Sequence, residues 1–341
     1  MYYTDYMGIA AFIVFFVAGC TGPPSALLYR PIVQLMLRLD YVHAGALSRV
    51  LISGVALAVS GYHCTLQIRH PNDPPRVVLS YLAFILPGNL AGDLAGTYLA
   101  MVVPNIIQLI ILFFMCSYSC ISLFRRAVKS NLPRTVQKPG NLNFLLCYLS
   151  FLVIYTVFQF IRGSHYLPSI AGIKMCSGIY WIVTAIEFAA LLSFAWFACS
   201  VDERLLLVAV VIEVAVSGMI GISVGVVLVP MLLDMTTMSP IQSISLSIIC
   251  VSVISVSSAI GFLVSGYLSA DCAVFVLVTF IAGLLFQNGM TFAVNTSGRA
   301  SLPIWAAALV ITIGTCLVLV VNTMTYASSL QDGSFISNSV C

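Results

Sequence analysis

Apolar residues run along this chain in long, nearly unbroken stretches, with neither the two-residue alternation of a half-buried strand nor the one-sided stripe of a surface helix. Ten such elements are legible. The first covers residues 7–39 and is interrupted; 44–64, 77–99 and 102–124 follow it. After a basic stretch come 144–161 and 175–200, then the charged link Asp202-Glu203-Arg204 and a second interrupted element over 205–235. The last three cover 241–268, 272–293 and 302–325. Most reach the ~18–20 residues a helix needs to cross a hydrocarbon core of ~30 Å. Backbone polar groups in lipid must bond within their own segment, so the stretches predict helices, and unbroken apolarity excludes a barrel of alternating strands. The small, polar tail 327–341 reads as mobile.

The interruptions carry the most information. Residues 7–39 would make a helix of ~48 Å, too long for one crossing without a large tilt. Gly19, Gly22, Pro23 and Pro24 lie near its middle, and Gly218, Gly221 and Gly225 near the middle of 205–235. The two sets are related: Gly19 and Gly218, Gly22 and Gly221, Pro31 and Pro230, Leu47 and Leu246, and Ser48 and Ser247 are each 199 residues apart. An internal duplication is therefore expected. It comprises a first repeat at 1–124, a basic cytoplasmic loop at 125–142, a two-helix insert at 143–203, a second repeat at 204–326 and a flexible tail. The fold expected is an all-α integral membrane protein of two four-element pseudo-repeats, each opening with a Gly/Pro-broken element. Paired broken segments in two halves are the best sequence pointer to a transporter binding site. Each broken element either crosses once as a kinked helix, making the repeats parallel, or dips in and returns, making them inverted. Length favours re-entry, since residues 7–19 span only ~18 Å as a helix. A turn near Gly298 on the side of the basic loop would mark re-entry, and Arg299 beside it fits that side. Glycosylation at the Asn295-Thr296-Ser297 sequon would place the turn on the other.

Composition agrees with the pattern. Hydrophobic residues make up 61% of the 341 and charged residues 7%, against about 25% charged in a soluble domain. The chain therefore reads as multi-pass, in a plasma membrane or an endomembrane, with lipid as its main partner. Arg125, Arg126, Lys129, Arg134 and Lys138 fall in one stretch without an acid. That is the positive-inside signal of a cytoplasmic loop rather than a nucleic-acid surface. The 11 cysteines include no Cys-x-x-Cys pair, and most sit inside apolar stretches, so no disulfide framework is expected. Val17-Ala18-Gly19-Cys20 is similar to a lipoprotein cleavage box, but Asp5 and no Lys or Arg precede it, so cleavage is not expected. His43, His63, His70 and His165 do not pair at metal spacing. There is no phosphate-binding P-loop and no convincing nucleophile–base pair. The reading is a non-enzyme without metal or cofactor, and a homo-oligomer is compatible with it.

Several motifs resemble the sulfite exporter TauE/SafE family, in its eukaryotic, plant- or protist-like form. The second half reads Gly218-Met-Ile-Gly221-Ile-Ser-Val-Gly225-Val-Val-Leu-Val-Pro230, then Pro240-Ile-Gln-Ser243-Ile-Ser-Leu-Ser247. The first half has Ala44-Gly-Ala-Leu-Ser48-Arg49, Leu66-Gln-Ile-Arg69-His70-Pro71 and Phe124-Arg125-Arg126, and the insert has Cys176-Ser-Gly-Ile-Tyr180-Trp181. The chain departs from the family at Cys20-Thr-Gly22-Pro-Pro-Ser25, where consecutive glycines are usual. It departs again at Arg30, where an apolar residue usually precedes the proline, and at Ile222 and Ser223 inside the glycine run. The resemblance implies transport of a small anion, such as sulfite or an organosulfonate.

An anion at mid-membrane needs donors, and a broken helix offers its free N–H groups and positive end. Gly19, Gly22, Gly218, Gly221 and Gly225 would let it approach the backbone, or would only let helices pack closely. Ser48 and Ser247 could donate to it or bond back to their own helices. Arg49 suits an oxyanion through paired hydrogen bonds, or could snorkel to the interface; Arg30 has the same two readings with less support. Glu213 and Asp93 are intramembrane acids and hence proton-coupling candidates, whereas Glu187 could cap or pair within the insert. The leading reading is a secondary transporter or facilitator. Its rivals are a non-transporting membrane scaffold or receptor subunit that keeps the fold, and an intramembrane enzyme.

Overall fold

The computed structural model describes residues 13, 14, 16, 18, 25–37, 41–69, 77–129, 143–163, 169–220, 224–266, 272–298 and 301–331. Regular structure among them is helical. The α-helices are α1 (Ala26–Leu37), α2 (Tyr41–Arg69), α3 (Leu79–Val102), α4 (Asn105–Lys129), α5 (Asn143–Arg162) and α6 (Gly178–Ala198). They continue with α7 (Arg204–Ile220), α8 (Gly225–Met235), α9 (Pro240–Val264), α10 (Cys272–Ser297) and α11 (Leu302–Gln331). Stretches within α2, α4, α5, α6, α9, α10 and α11 are long and apolar enough to cross a bilayer. The chain is an integral, multi-pass membrane protein. Phe113 and Phe114 on α4, Leu146 on α5, Phe197 on α6 and Phe292 on α10 are exposed, as lipid-facing side chains are.

Helix starts follow local chemistry. Ser177 caps α6 by accepting from the Tyr180 amide at 3.2 Å. Ser239 and Gln242 form a reciprocal capping box at α9, with Pro240 in the first turn, where its missing N–H costs nothing. The second interrupted element contains two helices, α7 ending at Ile220 and α8 starting at Gly225. The starts of α1 and α8 (Ala26 and Gly225) and of α2 and α9 (Tyr41 and Pro240) fall at the same 199-residue spacing, and Pro31 and Pro230 are each the sixth residue of their helix.

α3 is the interior helix. It packs against α5, α6, α7 and α9, and residues 84–94 are buried throughout. Its closest neighbour is α7, reached through glycines spaced four apart. A Cβ on Gly88 would stand 2.7 Å from Leu207 Cδ1. One on Gly92 would stand 2.7 Å from Val214 Cβ, and one on Gly96 would strike the Ala215 carbonyl. Side chains larger than hydrogen would force the two backbones apart.

The same contacts fix direction. Gly88, Gly92 and Gly96 meet Leu207, Val211–Val214 and Ala215–Met219 in order, so α3 and α7 run parallel. Only Val103 and Pro104 separate α3 from α4, so α7 begins at the end of the bundle where α4 finishes. At that end Asp234, in the last turn of α8, meets Arg126, in the last turn of α4, at 3.0 Å. α7 therefore enters from the basic-loop end and α8 returns to it: the second broken element is re-entrant. The rings of Phe124 and Trp305 lie 5.4 Å apart and Cys120 meets Thr312 at 3.4 Å, so α11 runs antiparallel to α4 and the turn at Gly298 lies on the basic-loop side. Asn295, in the last turn of α10, is at the same end.

α1 runs the other way. Leu27 packs on Gly314, 12 residues into α11 and thus ~18 Å from the basic-loop end. α2 runs alongside α10 in the same direction, with Gly54 beside Val276 and Tyr62 hydrogen-bonded to Thr291 at 3.1 Å. α2 thus starts at the far end, and α1, which leads into it, runs outward from mid-depth. α1 and α8 leave the middle in opposite directions.

Three expectations need correction. Arg125, Arg126 and Lys129 are not loop residues; they lie in the last turns of α4, where cations complement the negative helix end. The expected tail is helical as far as Gln331. Cys176 is disulfide-bonded, although no framework was expected; the partner lies outside the described residues. The turn between α5 and α6 that carries it is at the end away from the basic loop, and disulfides belong to the oxidising side of a membrane.

Gly96→Leu is expected to separate α3 from α7 and lower the stability of the purified protein by ~1–3 kcal/mol or more. Lys or Gln at Arg125, exposed at the end of α4, should leave it within ~0.5 kcal/mol. Thermal melting in detergent reads the difference.

Candidate functional site at the helix break

The second break lies at mid-depth, between Ile220 and Gly225. Val224, Gly225 and Val226 are buried, and no side chain caps the start of α8. Its first-turn amides therefore face the break without a side-chain acceptor, which is how a helix presents itself to an anion.

On the other side of the break α7 ends at Ile220, and Arg30 Nη1, from α1, donates to its carbonyl at 3.2 Å. A cation at a helix C-terminus is favoured by the dipole. Arg30 Nη2 also lies 4.0 Å from the position a Gly45 Cβ would take, so the guanidinium spans from α7 to the first turns of α2. Arg49 is half-buried one turn beyond Gly45 on the same face of α2. Arg30 thus reaches the break, and Arg49 lies on the helix that its guanidinium approaches. Sequence reasoning weighted Arg49 above Arg30. The signal for Arg30 was its departure from the apolar residue usual before Pro31.

The other sequence-predicted residues divide. Ser48 Oγ donates to Gly45 O at 2.8 Å, the local back-bond. Ser247, its counterpart at the same spacing, is fully buried and its hydroxyl has no partner. Gly218 is a packing residue by geometry, its Cβ position 3.4 Å from Gly96 Cα and 3.5 Å from Asp93 Cα. Gly225 is the buried first residue of α8. Gly19, Gly22 and Gly221 lie outside the described residues.

The acids differ in their surroundings. Asp93 accepts from Tyr155 OH at 3.1 Å, which ties α3 to the insert helix α5. Glu187 on α6 lies 3.0 Å from Arg162 on α5, both buried; the pair is in Coulombic contact without hydrogen-bond alignment. Tyr98 OH completes the attachment, donating to Tyr180 OH at 2.9 Å and lying 3.2 Å from Thr184 Oγ1. Glu213 is different: both its carboxylate oxygens are buried and neither has a hydrogen-bond partner.

Sequence reasoning missed the clasp at the exit of the hairpin. Asp234 accepts from Ser122 Oγ at 2.6 Å, from Arg126 Nε at 3.0 Å and from Tyr118 OH at 3.1 Å. These three donors lie on one face of α4, four residues apart, which is the only available signal for the clasp. At the 199-residue spacing their counterparts are Leu317, Val321 and Thr325, and that of Asp234 is Leu35, so the clasp has no polar twin.

Comparison with known proteins gives one informative match. The chain is 24% identical over 373 aligned positions to an Arabidopsis thaliana protein named Sulfite exporter TauE/SafE family protein 1, covering 91% of this chain and 82% of that one. This supports the family resemblance read from the motifs. No family model matches the chain, and no solved structure matches it significantly.

Asp234→Asn and Arg126→Gln should each lower the melting temperature, and the double variant should cost no more than the worse single one, since both remove the same clasp. Additive losses in melting experiments on the three variants would show that the groups act separately.

Proposed function

We propose that this chain belongs to the sulfite exporter TauE/SafE family and is a secondary transporter or facilitator of a small sulfur-containing anion, sulfite or an organosulfonate. The observation that carries the reading is the buried, uncapped start of α8 at mid-depth, with Arg30 at the carbonyl end of the same break and Arg49 one turn beyond Gly45 on α2. Backbone donors at a helix N-terminus and paired guanidinium groups are what a pyramidal or tetrahedral oxyanion needs where water is scarce. The name of the Arabidopsis relative points to the same substrate class.

In this reading Gly19, Gly22, Gly221 and Gly225 bring backbone close to the anion and Arg49 and Ser247 contribute side chains, while Gly218 packs α7 on α3 and Ser48 bonds to its own helix. Arg30, held by the Ile220 carbonyl, joins them as the second cation. Glu213 and Asp93 are the candidates for coupling transport to a cation gradient. The common spacing of helix starts and the opposed directions of α1 and α8 support two inverted repeats with the site between their broken elements. Such a pair exchanges access by rocking one half against the other. Polar side chains on α4 clasp Asp234 on α8, whereas the position matching Asp234 on α1 is Leu35, so the two gates would differ in strength.

Purified protein in liposomes should show counterflow of labelled sulfite or taurine. Arg49→Gln and Arg30→Gln should each weaken half-saturation by ~10–100-fold, the loss of a charge-assisted hydrogen bond of ~1.5–3 kcal/mol. Arg125→Gln, in a wet and screened position, should change it little. Equal effects of Arg49→Gln and Arg125→Gln would reject the site. Silence of the wild-type protein with sulfite, sulfate and taurine would favour a non-transporting scaffold that retains the fold.

A further inference from the structure

Buried polar atoms without partners are uncommon in folded proteins, and a group of them calls for a ligand. Here they fall on three adjacent helices, with Asn89 and Glu213 at one level and Ser217 and Ser247 about a turn to either side of it. Glu213 on α7 is 7% exposed and both its carboxylate oxygens are unpartnered. Ser217, one turn along the same face, is fully buried with its hydroxyl unpartnered. On α3, Asn89 is fully buried and neither side-chain atom has a well-aligned hydrogen bond. On α9, Ser247 is fully buried and unpartnered.

Asn89 and Glu213 meet around Cys250. Its thiol lies against the Asn89 side chain and within electrostatic reach of Glu213, and Ser247 is three residues before it on the same face of α9. Asn89, Glu213 and Cys250 are each nine or ten residues from the start of a helix that begins at the basic-loop end, hence each ~15 Å deep. α3 packs against both α7 and α9, and so does α8.

We infer that Glu213, Asn89 and Ser217 form a binding site for a small monovalent cation of the Na⁺ class, between α3, α7 and α9 on the basic-loop side of the break. The donor set is all oxygen: two from the carboxylate, one amide carbonyl and one hydroxyl. Hard cations take such ligands, and soft metals would ask for thiolate or imidazole. The charge also fits. One carboxylate stands among neutral groups, with no basic side chain paired to it, and one positive charge cancels it. Divalent cations would leave an uncompensated charge in a low-dielectric interior. The negative end of the half-helix α7 is a few residues away, where coupling cations sit in transporters built on broken helices. The site lies on the opposite side of the break from Arg30, so a bound cation and a bound anion would neighbour each other without sharing a pocket. Its role as the coupling-ion site rests on the transport reading above; its existence does not.

The test is the melting temperature of the full chain in detergent, titrated with NaCl against N-methylglucamine chloride at equal ionic strength. The wild-type protein should show a saturable stabilisation specific to Na⁺, since anything that binds only the folded state shifts unfolding by mass action. Glu213→Gln should raise the half-saturating Na⁺ concentration by at least about tenfold. Ser217→Ala, a small change that preserves packing, should raise it measurably and keeps the test decisive if Glu213→Gln does not fold. Equal melting temperatures in the two salts would overturn the proposal. So would a Na⁺ shift retained at full strength in both variants, or stabilisation by acid with no dependence on Na⁺, which would make Glu213 a bare proton site. Na⁺ stabilisation of a protein that exchanges no anion would leave the site standing and remove the transport reading instead.

Discussion

A helix that stops halfway through a bilayer leaves carbonyls at one end and amides at the other in a medium that cannot hydrogen-bond them. Each unsatisfied group costs several kcal/mol, so the surrounding protein or a ligand must take it up. In this chain the carbonyl end of α7 is taken up by Arg30, brought from α1 in the other half of the chain. The amide end of α8 has no such side chain. That asymmetry puts a cation at the negative end of the break and leaves the amides of the positive end without a side-chain acceptor.

Holding such a break in place requires rigid neighbours. α3 supplies them by approaching α7 almost backbone to backbone through Gly88, Gly92 and Gly96. It is itself held from behind by the insert helices, through Tyr155 to Asp93 and Tyr98 to Tyr180, with Arg162 and Glu187 paired beside them. Three ionisable groups in the interior are costly, and each is spent on joining helices rather than facing lipid. α5 and α6 thus brace the break through α3. The oxidising environment of its Cys176 turn fits the end of the molecule opposite the basic loop.

Much of the fold was legible because it depends on lengths. Runs of apolar residues give the crossings, and the glycines near the middle of 205–235 mark where α7 ends at Ile220 and α8 begins at Gly225. What was not legible is lateral. A membrane helix is apolar on every side, so periodicity does not reveal which face meets which neighbour. For this reason Ser48 and Ser247 match in sequence yet differ in surroundings, one bonded to its own helix and the other without a partner. Asp234 and its donors on α4 could not be joined, because 108 residues separate Arg126 from Asp234. Arg30 stood out only as a departure from a family pattern, and its position at the carbonyl end of α7 depends on the opposed directions of α1 and α8. The residues best read from sequence were those whose meaning is local, such as the Ser239–Gln242 cap of α9.

The central claim is that the second broken element enters and leaves the membrane on one side. It can be tested in sealed vesicles of known orientation, with a single cysteine placed either at Asp202, before α7, or at Thr237, after α8, and a membrane-impermeant maleimide. The account predicts that both positions label from the side of the basic loop and that neither labels from the other. Labelling of the two positions from opposite sides would mean that α7 and α8 together cross the bilayer, and would contradict it.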